Sequence, residues 1–297
     1  MSKNNNVTLS VMIITYNRKT ELLRAVESCV ENRIDNMEIV IVDNHSTDGA
    51  QEAVQEYLHS VDMPFVYYYS DDNLGVSAGR NKAFELCSGK YVFCLDDDAV
   101  IFTDDFFNKL IERMDEEPDA VSASVTIYEP QNERYLDGFR YIKNGHTYGF
   151  SYIGAAHLLQ KDFFKDKALY PHTLKFGSEE FYIAYRIWKK QKLMLHFDDI
   201  VVHHLPSVVA RVYGHDRAIA IIVNNYVIRK LCYPVVVHPI LCFTFVLHLA
   251  KHKALNETEL LSIRQMLRER YDPVYKDRMS LLSFFEMVHY LGIKRVF

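Results

Sequence analysis

The amino-acid sequence predicts an α/β fold, a three-layer α/β/α sandwich with a mainly parallel, Rossmann-like sheet, followed by a helical carboxy-terminal region. Three strand-length runs are apolar on both faces, which is typical of strands buried in a parallel sheet. These runs are VTLSVMIITY (7–16), MEIVIVD (37–43) and YVFCLD (91–96). Amphipathic segments alternate with the runs, and a βαβα series of this kind folds with right-handed crossovers.

Three segments around these runs have helical periodicity. The first, KTELLRAVESCVENR, has an apolar stripe formed by Leu22, Leu23, Val26 and Val30. The second, STDGAQEAVQEYLHSV, has a similar stripe behind the helix-start residues Thr47 and Asp48. The third, VSAGRNKAFELCSG, is expected to end at a C-cap formed by Gly89.

The pattern becomes less regular after residue 103. Residues 128–149 are rich in Tyr, Gly and polar residues, which favours loops or a small antiparallel element. GSEEFYIAYRIWKKQ (177–191) is helical in pattern, LMLHFDDIVVHHLPS (193–207) is strand-like, and the chain from about 215 onward is mainly helical. We therefore expect an α/β half over 1–103, a second half of the same domain over 104–210, and a helical region over 211–297.

Composition excludes several classes of protein. The 297 residues carry 39 acidic and 34 basic side chains without a basic tract, which argues against a nucleic-acid partner. The five cysteines form no CxxC pair and several lie in apolar runs, which predicts reduced thiols in a cytoplasmic protein. The first residues, MSKNNN, lack the apolar stretch of a secretion signal.

Polar clusters follow all three strands, as TYNR, DNHSTD and DDDA. Open α/β sheets bind ligands at the carboxyl ends of their strands. Asp96, Asp97 and Asp98 repel one another, and two explanations are open. One is an acidic turn that starts a helix; the other is a Mg²⁺ or Mn²⁺ site, whose cation can bridge the phosphates of a nucleotide.

The ordered motifs resemble the inverting glycosyltransferases of family 2, which have the GT-A fold. The resemblance extends over residues 7–207 and rests on VMIITYNRKTELLRAVESC, EIVIVDNHSTDG, DNLGVSAGRNKAF, CLDDDAV, IGAAHLLQKDFF and FGSEEFYIAYR. Such enzymes build cell-surface polysaccharide, with rhamnosyl- and galactosyltransferases among them. The resemblance implies a Mn²⁺ or Mg²⁺ cofactor and a nucleotide-diphosphate sugar donor, with UDP or dTDP favoured over GDP. It also implies a glycan or lipid-linked acceptor and a single displacement with inversion.

The same resemblance assigns roles to residues at the strand ends. Asp96 would contact the nucleotide or its sugar and the metal, and Asp98 would bind the metal. Asp97, between them, would also belong to the nucleotide-sugar site. The nucleotide base would be held by Thr15, Tyr16, Asp43 and Asn44. Many relatives have two aspartates where this chain has Asp43 and Asn44, but an Asn carbonyl can still accept from a pyrimidine N3–H. Arg80 would lie near the nucleotide; the alternative is an arginine on the surface of a helix.

Glu180 would be the catalytic base, because in the family motif this carboxylate precedes an arginine, here Arg186, by six residues. It is preferred over Glu179, and the alternative is an acidic first turn that complements a helix dipole. His204 would be a further metal ligand, with His203 on the opposite face of the strand; a structural histidine is the alternative. His157 would line the sugar pocket.

Residues 231–250 contain no Asp, Glu, Lys or Arg, and three explanations are open. They are a helix pair packed in the protein or at a homodimer interface, shallow association with the inner face of the cell membrane, and a membrane span. If the segment touches a membrane, a lipid-linked acceptor follows naturally.

Three other functions would each predict different sequence features. A sugar-1-phosphate nucleotidyltransferase would have a glycine-rich, basic signature after the first strand, where this chain has TYNRKTELL. A dinucleotide oxidoreductase needs GxGxxG there, but no glycine occurs before Gly49. A non-catalytic sugar-binding or scaffold protein stays open, although it leaves the paired acidic and histidine motifs unexplained.

Overall fold

The computed structural model describes residues 7–174, 177–206 and 214–297. The strands in these residues are β1 (Leu9–Thr15), β2 (Met37–Asp43), β3 (Phe65–Tyr69), β4 (Tyr91–Asp96), β5 (Ala99–Ile101), β6 (Ala120–Glu129), β7 (Arg134–Leu136), β8 (Arg140–Lys143), β9 (His146–Gly149), β10 (Ala156–Gln160) and β11 (Leu193–His204). The helices are α1 (Lys19–Glu31), α2 (Ala50–Ser60), α3 (Gly75–Leu86), α4 (Phe106–Asp115), α5 (Lys161–Phe164), α6 (Glu180–Lys189), α7 (His215–Cys232), α8 (His238–Lys251), α9 (Glu257–Arg270), α10 (Leu281–Leu291) and α11 (Ile293–Val296).

The sheet brings the three polar strand ends to one edge. Its strand order is β3-β2-β1-β4-β10-β6-β11-β9-β8, and β3, β2, β1 and β4 are mutually parallel. In this register Thr15 of the central strand lies beside Asp43, and Ile14 lies beside Asp96. TYNR, DNHSTD and DDDA therefore emerge next to one another, as the sequence predicts.

The second half of the sheet adds strands of both directions. β10 is antiparallel to β4 and to β6, whereas β11 is parallel to β6 with a register shift between Phe197 and Val201. The short strand β5 pairs with the end of β11, which sets His204 opposite Ala99. The end of β11 thus lies directly beside the aspartate turn between β4 and β5.

Apolar side chains cover both faces of the sheet, as a three-layer sandwich requires. On β1, Leu9, Val11 and Ile13 join the cluster that includes α1, α2 and α4, while Met12 faces the cluster that includes α3. All four side chains are buried. Because burial of one such side chain contributes about 1.5–3 kcal/mol, this two-sided core is a main source of stability.

Some elements differ from the prediction. The strands β3 and β6 and the helix α4 were not predicted, although FVYYY, AVSASVTIYE and FFNKLIERMD carry the corresponding periodicities. The prediction that Gly89 caps the third helix was wrong. α3 ends at Leu86, and a Cβ at Gly89 would lie 2.6 Å from the backbone nitrogen of Ser10, so glycine permits close packing against β1.

Helices α7 to α11 form the predicted helical carboxy-terminal region and share a second apolar core with α6, β8 and β9. The boundary expected near residue 210 lies outside the described residues. Segment 231–250 is divided at Pro234 between the end of α7 and the start of α8. No helix in the described ranges is long and apolar enough to cross a membrane.

Candidate functional site

The three consecutive aspartates each have a different partner. Asp96 ends β4 and its Oδ1 lies 2.6 Å from Nη2 of Arg80. Asp97 accepts from Thr15 Oγ1 at 2.8 Å and from Arg18 Nη1 at 2.8 Å. Asp98 lies 3.4 Å from Arg18 Nη1, and its Oδ1 is 3.3 Å from His204 Nε2. Two guanidinium groups and an imidazole therefore offset the repulsion between the three carboxylates.

Burial makes these counter-charges necessary. Asp97 and Asp98 are 4% and 3% exposed, whereas the Asp96 side chain is partly open. Burial, which outweighs the opposing charge of Arg18, raises the pKa of Asp97 to about 7. Asp96 and His204 are the more exposed members of the arrangement.

Asp96, Asp98 and His204 form what we term the cation cluster. Each offers one ligand atom, and these atoms lie within 4.8 Å of one another. Nδ1 of His204 lies 2.9 Å from Oε1 of Glu129 and Nε2 lies 3.3 Å from Oδ1 of Asp98, and these carboxylates raise the pKa of the imidazole against the effect of burial. Two carboxylates and an imidazole that has given up its Nε2 proton are a ligand set that suits Mn²⁺ or Mg²⁺.

Glu129 orients the histidine from outside the cation cluster. Its Oε2 accepts from Nε of Arg134 at 2.7 Å and from Nδ2 of Asn132 at 2.8 Å. These hydrogen bonds lower the pKa of Glu129 against the effect of burial, so the residue is ionised when it binds the imidazole. A carboxylate in this position fixes the ring orientation of a metal-ligating histidine.

The predicted base-binding residues lie on the loops after β1 and β2. Asp43 is fully buried; its carboxylate accepts from the backbone N–H of Ser46 at 2.7 Å and from Tyr67 Oη at 2.6 Å. Asn44 is also buried, and its Oδ1 has no hydrogen-bond partner in the part of the chain that the structure describes. An unpaired buried acceptor is costly, so this oxygen is open to a donor from a ligand or a water molecule.

Thr15 and Tyr16, also predicted to hold the base, lie at the end of β1. The Thr15 hydroxyl is buried and donates to Asp97, so it links this loop to the aspartate turn. The Tyr16 side chain is half-buried beside it. Thr15 therefore contacts the aspartate turn, Tyr16 follows it in the chain, and their roles toward a base stay predictions.

Arg80 joins the two halves of the site. It projects from α3 and is 6% exposed, so the alternative of a surface arginine was wrong. Besides Asp96, its guanidinium donates to the Gly154 carbonyl at 3.0 Å and lies 3.3 Å from Oε1 of Glu179. One buried cation thus connects the aspartate turn with the start of α6.

Glu179 and Glu180, the glutamate pair, stand at the N-terminus of α6. Glu179 is buried against Arg80, and its Oε2 has no hydrogen-bond partner among the described residues. Glu180 is only partly exposed; burial, followed by the charge of Glu179, raises its pKa to about 8. Burial raises the pKa of Glu179 as well, but Glu179 is paired with Arg80, so Glu180 is the member of the pair that is more open to a ligand.

Gly154 provides the space for this carboxylate. A Cβ at this position would lie 2.6 Å from Oε1 of Glu180 and 3.3 Å from Nη2 of Arg80. Arg186, the arginine of the motif, turns to the other side and holds a loop through Asp166 at 2.8 Å and the Ala168 carbonyl at 3.2 Å. Its contribution to the site is structural support of α6.

His157 and His203, the other two histidines named in the sequence motifs, do not belong to the cation cluster. His157, predicted to line a sugar pocket, is fully buried, stacked on Tyr152 at 3.8 Å and 3.2 Å from the Tyr170 hydroxyl. That prediction was wrong, because the side chain of β10 points into the core. His203 stacks on Phe102 at 4.0 Å on the strand face opposite His204, as predicted.

Three residues of the site were not predicted from the sequence, namely Arg18, Glu129 and Gly154. Arg18 stands in the TYNR cluster, and three adjacent acids require a counter-charge, so this signal was available. Glu129 and Gly154 carry no motif of their own; only the pairing of β11 with β6 and the approach of α6 reveal them.

Comparisons with known proteins agree with this geometry. The sequence model described as Glycosyl transferase family 2 matches residues 10–181. TuaG of Bacillus subtilis (strain 168), named as a glycosyltransferase of teichuronic acid biosynthesis, is 31% identical over 140 residues, which cover 47% of this chain and 55% of TuaG. WcaA of Escherichia coli (strain K12), named as a glycosyl transferase of colanic acid biosynthesis, is 36% identical over 95 residues, or 32% of this chain and 33% of WcaA. The chain thus spans between a third and about half of these curated relatives.

A solved structure shows the same architecture. GalNAc-T7 with UDP, GalNAc and Mn²⁺ superposes with a TM-score of 0.65 at 16% identity, covering 97% of this chain and 59% of that chain. The GT-A fold implied by the sequence motifs is therefore confirmed. The family match covers more than half of the chain, and we conclude that the chain belongs to glycosyl transferase family 2.

Proposed function

We propose that this protein is a metal-dependent, inverting glycosyltransferase. It would move a sugar from a nucleotide-diphosphate donor to a hydroxyl group of a glycan or a lipid-linked acceptor. The observation that carries this proposal is the link made by Arg80. The buried guanidinium of Arg80 pairs with Asp96 of the cation cluster on one side and with Glu179, the neighbour of Glu180, on the other.

Asp96, Asp98 and His204 would hold Mn²⁺ or Mg²⁺, which would neutralise charge on the diphosphate leaving group. The orientation of His204 by Glu129 supports this assignment, because the contact at Nδ1 leaves Nε2, on the side of Asp98, as the ring nitrogen that would bind the metal. GalNAc-T7 binds Mn²⁺ with UDP in its own structure, which is consistent with a similar ligand here.

Glu180 would act as the general base. Its Oε atom takes the proton from the acceptor hydroxyl while that oxygen attacks the anomeric carbon. The bond from the anomeric carbon to the diphosphate oxygen breaks on the opposite face, so the configuration inverts and the enzyme forms no covalent bond to the sugar. The raised pKa of Glu180 supports proton transfer near neutral pH.

The base pocket would favour a pyrimidine, so UDP or dTDP is preferred over GDP. The unpartnered Oδ1 of Asn44 is an acceptor, as the N3–H of uracil or thymine requires. Asp43 is fully buried and already accepts from Ser46 and Tyr67, so Asn44 is the preferred acceptor.

We assign donor binding to residues 1–103, acceptor binding to 104–210 and a supporting role to the helical region 211–297. A cytoplasmic location is part of the proposal, since all five cysteines are free thiols and four of them are buried. Synthesis of a cell-surface polysaccharide is the process that the names of WcaA and TuaG suggest.

Thermal stabilisation by nucleoside diphosphates tests the proposal. We would compare UDP, dTDP, GDP and CDP, each with and without Mn²⁺, on the wild type and on Asp98→Ala. At 100 times its Kd a ligand stabilises the fold by about 2.7 kcal/mol, a shift of several degrees in Tm. Asp104→Ala, at an exposed aspartate in the turn after β5, is the matched control and should keep the shift.

A Mn²⁺-dependent shift with one nucleotide, lost in Asp98→Ala and kept in Asp104→Ala, is the expected result. If no nucleotide raises the Tm of the folded wild type, the enzyme proposal fails and a sugar-binding or scaffold role takes its place.

A further inference from the structure

Exposed apolar side chains are concentrated in the carboxy-terminal helices. Of the twenty large apolar side chains that are exposed in the described residues, fourteen lie between Val235 and Ile293. This segment is only about a fifth of the chain. Contiguous apolar surface of this kind usually marks a site of contact with another molecule or a membrane.

Helix α8 carries the most regular part of this surface, which we term the α8 face. Its members are Val236, in the turn just before α8, and Ile240, Phe243 and Leu247 of α8; they are 65%, 51%, 64% and 52% exposed. The spacing of the last three by three and four residues places them on one side of the helix. The opposite side of α8 is already covered by the protein, since Leu241 and Leu249 are buried and Phe245 stacks on Tyr226.

The carboxy-terminal region that carries these exposed apolar side chains also differs from the rest of the chain in its net charge. Residues 229–297 contain eleven Lys and Arg against six Asp and Glu, a net charge of +5, so the remainder of the chain carries −10. The α8 face itself has no acidic neighbour on its helix, and the exposed Lys251 and Lys253 follow its end. The exposed apolar surface therefore belongs to a positively charged region of a negatively charged protein.

We propose that the α8 face binds the surface of an anionic phospholipid bilayer. Helix α8 would lie parallel to the membrane, with Phe243 and Leu247 at the boundary of headgroups and acyl chains and Lys251 and Lys253 against lipid phosphates. A second copy of this chain fits the face less well, because it would bring two positively charged regions together. The contact is interfacial and needs no membrane-spanning helix.

The position of α8 relative to the site fits this arrangement. A cavity of about 320 Å³ lies between α7, α8 and the chain's last residues, and Leu241 and Phe245 of α8 line it. Phe181, which follows Glu180 in α6, lines the same cavity. Helix α8 and the residue that follows the glutamate pair thus line one cavity.

Vesicle flotation tests the inference. We would use vesicles of phosphatidylcholine alone and of phosphatidylcholine with phosphatidylglycerol, at low and high salt. The wild type should float with the anionic vesicles, less so at high salt, and only weakly with the neutral ones. The double variant Phe243→Ser with Leu247→Ser should reduce the bound fraction about tenfold or more, since two apolar anchors are lost.

Phe102→Ser is the matched control, because Phe102 is 62% exposed on the α/β half; it should float like the wild type. The charge variant Lys251→Gln with Lys253→Gln should lose the preference for anionic vesicles. Tm and Mn²⁺-dependent nucleotide binding are measured on each variant, so misfolding and failure of the proposed enzymatic function are detected separately.

The inference is overturned if the wild type floats with neither kind of vesicle, or if Phe102→Ser reduces flotation as much as the double variant. It is also overturned if the wild type sediments as a dimer that the double variant dissociates, with no vesicle binding. That result would assign the α8 face to self-association.

Discussion

The two acidic clusters of the site differ in how their charge is balanced. The aspartate cluster consists of Asp96, Asp97 and Asp98. Each of its carboxylates has its own partner, which is Arg80, Arg18 or His204, respectively. In the glutamate pair, Glu179 takes Arg80 and Glu180 is left with a raised pKa. Because the pKa of Asp97 is raised too, the difference lies in the paired cations: carboxylates that each have such a partner suit the binding of a charged ligand, whereas Glu180, whose pKa is raised by burial and by Glu179, suits proton transfer.

The difference has a simple backbone origin. The aspartates stand at the end of a strand and in the following turn, so successive side chains point in different directions and reach different partners. Glu179 and Glu180 stand at the start of one helix, close enough for the charge of one to raise the pKa of the other.

Replacing the proposed base should have the largest effect. Glu180→Gln removes the proton acceptor but keeps the shape, so we expect kcat to fall by about 10²–10⁴ with little change in nucleotide affinity. Steady-state kinetics of nucleoside diphosphate release measure this. Glu85→Gln, at an exposed position of α3, is the control, and a Glu180→Gln enzyme of wild-type kcat would remove Glu180 from the mechanism.

Gly154→Ala should reduce turnover about a hundredfold, because the new Cβ would displace the Glu180 carboxylate, and misplacement by about 1 Å can cost that much. Nucleotide affinity should change less than kcat. At Gly145, in the turn between β8 and β9, an added Cβ meets no atom within 4 Å, so Gly145→Ala adds backbone strain alone. Equal kcat values for the two folded variants would contradict this role of Gly154.

Glu129→Gln should weaken Mn²⁺ binding by about 10–100-fold, because the carboxylate that orients His204 is lost. The measurement is a Mn²⁺ titration of nucleotide-dependent Tm at saturating nucleotide. Glu116→Gln, at an exposed glutamate beyond α4, should leave the titration unchanged. A wild-type Mn²⁺ midpoint in Glu129→Gln would mean that His204 does not depend on this partner.

The smallest expected effect is that of Glu180→Gln on the pH dependence of stability. Because the pKa of Glu180 is raised in the folded state, the folded protein binds this proton more tightly than the unfolded chain does. Its contribution to stability is complete below the ordinary pKa of 4.5 and is lost as the pH rises through about 8. Glu180→Gln should therefore raise Tm relative to the wild type at alkaline pH but not at acidic pH. A Tm difference that is constant with pH would contradict the raised pKa.

The sequence predicted the fold best where strands are apolar on both faces. β1, β2 and β4 were found because runs such as YVFCLD are continuous, and their shared direction then placed the polar ends together. β6 and α4 follow the point where regular alternation stops, and they were missed. Asp96, Asp98 and His204 could be associated through the motif order, whereas the tertiary contacts of Gly154 and Glu129 leave no local pattern.

His157 shows the limit of motif position as a guide. It lies in the segment that resembles the acceptor side, yet strand alternation turns it toward Tyr152 and Tyr170 in the core. Which face of β10 is buried depends on its pairing with β4 and β6, and that pairing is not readable from the local sequence.

One calorimetric experiment can test whether the aspartates bind the nucleotide with its metal while Glu180 serves only in proton transfer. The nucleoside diphosphate that stabilises the wild type is titrated, with Mn²⁺ present, into the wild type, Asp98→Asn and Glu180→Gln. We expect Glu180→Gln to bind like the wild type and Asp98→Asn to bind at least about tenfold more weakly, since a metal ligand is lost. Undiminished binding by Asp98→Asn, or equal loss in both variants, would contradict the assignment of binding to the aspartates and proton transfer to Glu180.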